Sequence, residues 1–223
     1  MKQNSERAKL AVILIWIVLG LEIITLISDY FQFNLLQKVT NGEHFSIEAA
    51  TTNDTRQQFI AILYLVAYII SGVTFIQWFR RAYNNLHQKV SYLSHTEGWA
   101  AGSWFVPIVN LYRPYQIMKE LYQETKEYLS KNENSMGQDI PIGPLGLWWG
   151  LWIINGVLGQ FIFRYSLKAE TIEELTTVTM ASMISSLVGI PLALITIKII
   201  KNYAALEPLL QINPETEQEA LSV

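Results

Sequence analysis

Residues 59–79 read FIAILYLVAYIISGVTFIQWF, twenty-one positions from Phe59 to Phe79 without a charge, closed by Arg80 and Arg81. A helix of that length, at about 1.5 Å per residue, covers the roughly 30 Å hydrocarbon core of a bilayer. Lipid offers no hydrogen bonds, so every backbone N–H and C=O must be satisfied inside the segment, and a lone apolar run of this length is a transmembrane helix.

Working outward, three more segments carry the same signal. The spans fall at about 10–28, 59–79, 144–163 and 178–197: the first is apolar apart from Glu22, the third apart from Asn155, and the fourth runs uncharged up to Lys198. A mean hydropathy of only +0.22 then reflects substantial polar loops around the spans. Lys2, Arg7 and Lys9 before the first run also describe a signal peptide. The apolar stretch is longer than such a peptide needs and no small-x-small site precedes Ser28-Asp29, so an uncleaved anchor is expected. The chain holds no Cys, which excludes disulfides, thiolate catalysis and Cys-ligated metal.

Between the second and third spans lies GWAAGSWFVPIVNL, from Gly98 to Leu111, broken by Gly102 and Pro107. As a helix it reaches only about 21 Å, which favours a re-entrant or interfacial segment. Charge agrees. With four spans, both termini share a side with the 80–143 loop, and that side collects twelve of the sixteen Lys and Arg residues against Lys38, Arg56, Arg164 and Lys168 opposite. Were the segment to span, the count would fall to eight against eight. Since cytoplasmic loops are rich in Lys and Arg, the four-span arrangement with both termini cytoplasmic is expected.

Local signals mark the helix starts. Thr55-x-x-Gln58 and Thr171-x-x-Glu174 match capping boxes for the second and fourth spans, and Pro144 follows Gly143 where a first-turn proline is tolerated. Pro191 should bend the fourth span, with Ser185 and Ser186 at hand for the freed carbonyl. PYQIMKELYQETKEYL, from Pro114 to Leu129, places Met118, Leu121, Tyr122 and Leu129 at helical spacing among charged residues and reads as an amphipathic helix on the cytoplasmic face. The interfacial region is thus 98–130. The integral membrane domain takes in 1–205, and 206–223 reads as an acidic, solvated tail. The fold class is all-α: a polytopic helical bundle.

Chemistry-bearing residues are few. Glu22 is the one acidic side chain within a span, where an ionisable group is costly and marks a proton or cation site or a hydrogen-bonded structural carboxylate. Asn155 supports contact between helices, as do the four-apart pairs Gly146/Gly150, Asn155/Gly159, Ser182/Ser186 and Ser185/Gly189. Trp78, Trp148, Trp149 and Trp152 stand near helix ends, where indoles anchor at the interface. A polar set, Arg81, Asn85, Asn110, Arg113 and Gln116, gathers around the Pro107 and Pro114 breaks; such groups hold a phosphate, head group or carboxylate, or cap helix ends. No HExxH, GxSxG, P-loop or GxGxxG occurs, and His87 and His95 lack supporting ligands, so no catalytic residue, metal or cofactor is expected. From Arg113 to Asp139 the balance is four basic against five acidic residues, which argues against nucleic acid.

Trp78-x-x-Arg81-Ala82-Tyr83-x-Asn85-Leu86, then Gly98-Trp99-Ala100-x-Gly102-x-Trp104-Phe105-x-Pro107-x-x-Asn110-Leu111-x-Arg113-Pro114-Tyr115-Gln116, then Leu147-Trp148-Trp149 resembles the motifs of the bacterial membrane family of the domain of unknown function 4328. Thr96-Glu97 stands where Ser-Pro would be expected. The resemblance covers about 59–160 and implies a multi-helix bacterial inner-membrane protein, with no activity to carry over. The functional expectation is a non-enzymatic module binding a lipid head group or protein partner at its cytoplasmic face, with membrane lipids and a protein partner or second copy as companions. The alternative is a small transporter or channel using Glu22 and Asn155. A polar cavity reaching Glu22 favours the alternative; a dry bundle favours the module.

Overall fold

The computed structural model describes residues 1–131 and 143–211. Among the described residues six α-helices form: α1 (Ser5–Thr40), α2 (Ile47–His87), α3 (Glu97–Gly102), α4 (Arg113–Lys131), α5 (Pro144–Ser166) and α6 (Ile172–Leu206), with short 3₁₀ turns at Val109–Leu111 and Glu207–Gln211. There is no strand among the described residues, and α1, α2, α5 and α6 are long and apolar enough to cross a membrane. This is the all-α polytopic bundle that the hydropathy predicts.

Helix ends show why these residues start and stop where they do. At α6 the capping box is complete: Thr171 Oγ1 accepts from the Glu174 N–H at 3.2 Å, and Glu174 Oε2 accepts from the Thr171 N–H at 3.0 Å. Pro144 opens α5 as its first residue. The box at Thr55 does not form. There α2 already begins at Ile47 behind Ser46, whose Oγ accepts from the Ala49 N–H at 3.0 Å, and Thr55 Oγ1 bonds back to the Thr51 carbonyl at 2.9 Å. The polar stretch before the span is simply more helix, because residues outside lipid are free to extend it.

The chain divides into two compact units. The first comprises 1–13, 72–147 and 197–223, and has an aromatic core. Trp78, Phe79, Tyr83 and Leu86 of α2 are fully buried, as are Ile117, Met118 and Leu121 of α4 and Tyr203 of α6. Trp78 meets Tyr203 edge-on at 6.2 Å, and Phe75 meets Trp104 edge-on at 5.6 Å. The α4 helix buries the apolar face read from its periodicity, and its Tyr122 hydroxyl donates to the Ile199 carbonyl at 2.6 Å. Gly98–Leu111 is no span: α3 lasts six residues, and the backbone then turns through Ile108, which holds a φ of 67° despite its branched Cβ. Of the expected tail, Glu207 and Leu210 are buried in this unit; residues 212–223 lie outside the described residues.

The second unit comprises 14–71 and 148–196. Many of its large apolar side chains, Ile13's neighbours Trp16 and Ile17 together with Ile62, Ile69 and Leu187 among them, are exposed, while Glu22, Asp29, Thr179 and Ser186 are buried. Two expectations need correction. Trp78 and Trp148 are buried, not set out as interfacial anchors, and the Trp148 indole N–H donates to Thr196 Oγ1 at 3.0 Å. Gly146, Gly150 and Gly159 make no close approach, since a Cβ at any of them would meet nothing within 4 Å. Gly189 alone of the paired glycines is tight, because an added Cβ would collide with Glu22 Oε1.

Candidate functional site

The second unit brings polar side chains from four helices together. On α1, Glu22, Thr25 and Asp29 recur at i, i+3 and i+7, so they share a face. The α2 helix adds Gln57, Tyr64 and Tyr68, α5 adds Asn155, and α6 adds Ser182, Ser185 and Ser186. All of them line one cavity of about 630 Å³.

Glu22, only 5% exposed, accepts from the Tyr64 hydroxyl at 2.7 Å and is also supported by Ser186. Gly189 leaves the room its carboxylate occupies. Asp29, likewise 5% exposed, accepts from Gln57 Nε2 at 3.2 Å through Oδ1 and is also supported by Ser182, while its Oδ2 is buried with no hydrogen bond of good geometry. The Thr25 hydroxyl is orphaned in the same way. Asn155 Oδ1 accepts from Ser185 at 3.0 Å.

Arg56, whose charge reaches Asp29, is occupied elsewhere. Its Nε donates to Ser28 Oγ at 2.9 Å and its Nη2 to Asn53 Oδ1 at 2.6 Å, and its guanidinium stands over the Phe31 ring. Arg56 acts on Asp29 through the field without pairing directly with it.

Sequence reasoning singled out Glu22 and Asn155, and both line this cavity. It missed Asp29, which lies just past the first apolar run, because α1 continues to Thr40 and carries the polar stripe onward. The legible signal was the i, i+3, i+7 recurrence across the end of the span.

The polar set at the other candidate site belongs to the first unit and is dispersed in its roles. Asn85 is buried; its Nδ2 donates to Glu207 Oε1 at 2.6 Å and to the Lys2 carbonyl at 2.8 Å. Arg81 acts on the same Glu207. Arg113 reaches the His95 ring at 3.3 Å and stands over Trp99 and Tyr112, its Nε buried and unpartnered. Asn110 donates its backbone N–H to the Val106 carbonyl at 3.0 Å, and Gln116 is exposed.

Nearby, Glu120 accepts from the Tyr83 hydroxyl at 2.5 Å and the Ser94 N–H at 2.6 Å. Burial opposes its charge, but these donors outweigh it and hold the carboxyl below its ordinary range. They pin the 88–96 loop to α4. No group of three or more His, Asp or Glu able to hold a metal occurs among the described residues.

These features define a multi-pass helical membrane protein with a polar interior. A family model described as Domain of unknown function (DUF4328) matches residues 41–205, and the chain belongs to that family. No curated protein and no solved structure matches it.

Proposed function

We propose that this protein admits a small polar solute into the cavity of its membrane-spanning unit, acting without covalent chemistry as a small transporter or channel. The observation that carries the reading is a cavity of about 630 Å³ lined by side chains from four helices and reaching Glu22. Intramembrane ionisable groups are expensive and are retained where they serve a pathway or site, and solute sites in transporters lie where helices converge near the midplane. The volume suits a small organic molecule. The chain's lack of Cys makes the test direct. Ser182→Cys in membranes should react with a small water-borne thiol reagent, and Glu22→Gln should reduce solute flux in proteoliposomes. An unreactive Ser182→Cys would sink the reading.

A second reading, a head-group or partner site at the cytoplasmic face, is favoured by one observation: the unpartnered Arg113 Nε beside Trp99, close in sequence to Phe105 and Ile108, 74% and 75% exposed. Exposed apolar side chains flanking a guanidinium suit an anionic membrane surface. Arg113→Ala should then weaken sedimentation of the detergent-free protein's soluble fragments of that loop with anionic vesicles, and equal sedimentation would remove this reading.

The orientation follows the same logic. We place both termini in the cytoplasm of a bacterial cell, with the inner membrane as the site. Single cysteines at Gln3 and Ser130 should resist a membrane-impermeant reagent in intact cells while one at Asn41 labels; the reverse pattern would invert the topology.

A further inference from the structure

We propose that the solute held in this cavity is a linear aliphatic diamine, one ammonium at Glu22 and the other at Asp29. The inference rests on the cavity reading above and names its ligand class. Three observations carry it. First, the two carboxylates sit seven residues apart on one face of α1, about 10 Å along the axis at 1.5 Å per residue. Both are buried, both line the cavity, and neither has an ion-pair partner among the described residues. Arg56, whose charge reaches Asp29, spends its donors on Ser28 and Asn53. Second, Asp29 Oδ2 and Thr25 Oγ1 are buried with no hydrogen bond of good geometry on the stretch between and around the carboxylates. A buried acceptor left open is costly unless something donates to it, and an ammonium brings three donors. Third, the lining between the acids is mixed. Ile60 and Ala61 give methylene groups an apolar wall, and the Tyr64 and Tyr68 rings, stacked at 5.9 Å, offer faces to a cation.

A bare metal ion fits poorly, because the cavity is far larger than a coordination sphere. A monoamine leaves one acid unanswered, and a neutral diol leaves both. A diamine of about six carbons matches the separation of the acids and neutralises them together, which is what buried charges require.

The experiment uses the full chain in lipid nanodiscs and measures binding of hexamethylenediamine, hexylamine and hexanediol. The diamine should bind at least tenfold tighter than hexylamine and protect Ser182→Cys from the thiol reagent. Glu22→Gln and Asp29→Asn should each lower diamine affinity about tenfold, toward that of hexylamine. Equal affinity for diol and diamine, or diamine binding unchanged in both variants, would overturn the diamine assignment while leaving the cavity reading intact. Absence of diamine binding with Ser182→Cys still labelled has the same meaning. An unlabelled Ser182→Cys removes the cavity reading itself, and the diamine with it.

Discussion

The two units of this chain are packed inside out with respect to one another in chemistry. One buries Trp78, Phe79, Tyr83, Tyr122 and Tyr203 and turns charges such as Lys9, Glu6 and Arg80 outward. The other exposes Ile62, Ile69, Val157 and Leu187 and buries Glu22, Asp29, Asn53 and Ser186. The difference fits lipid around most of the second unit and a more polar setting around most of the first. Where water surrounds the protein, removal of apolar area drives packing. Where lipid surrounds it, apolar faces gain nothing by hiding, and polar groups seek one another.

The comparison can be broken first where it predicts the largest effect. Trp78→Ala, at a site with no exposure and ring neighbours at Phe75 and Tyr203, should cost about 3–5 kcal/mol. Ile62→Ala, 57% exposed in the other unit, should stay within about 0.5 kcal/mol. Thermal unfolding in detergent compares them; similar losses at both would erase the distinction.

Next is Gly189→Ala, whose methyl would displace the Glu22 carboxylate from Tyr64. It should cost about 1–3 kcal/mol, and markedly less in a Glu22→Ala background, since neighbouring sites are not additive. Equal costs in the two backgrounds would show that Glu22 does not fill that space.

Glu22→Gln should by itself leave stability unchanged or slightly raised, because the amide keeps most hydrogen bonds and removes the burden of a buried carboxylate. A loss above about 2 kcal/mol would mean that the charge itself holds the polar interior together.

The smallest effect concerns Glu120 in the aromatic unit. Its carboxyl is held below the ordinary value of 4.5, so the bonds to Tyr83 and Ser94 stabilise the fold fully above that pH. Their contribution fades as pH falls through the lower folded value. Glu120→Gln should flatten this acid limb of the stability profile and leave the neutral plateau slightly lower. An unchanged acid limb would show that other carboxylates carry it.

Four spans, the short segment at 98–111, the amphipathic face of α4 and the α6 capping box were all legible, because each rests on local periodicity or a spacing of three to four residues. Lengths were not. The apolar run of the first span ends near Ile27, yet α1 continues to Thr40, because helix outside lipid needs no apolar signature. That extension kept Asp29 out of the reading. Trp78 and Trp148 look like interfacial anchors in a linear text, and only the packing of α6, with Tyr203 against Trp78 and Thr196 against Trp148, decides that such rings are core.

What the sequence determined by itself was the class: four apolar runs with no polar group to spare in lipid permit a helical bundle and nothing else. What only the tertiary structure decided was which polar residues meet. Tyr64 on α2 lies 42 positions from Glu22 on α1, and Ser186 and Gly189 on α6 lie 164 and 167 positions from it. Their convergence depends on how each helix is rotated about its axis, and the polar stripes fix that rotation only once all four helices are present to satisfy one another.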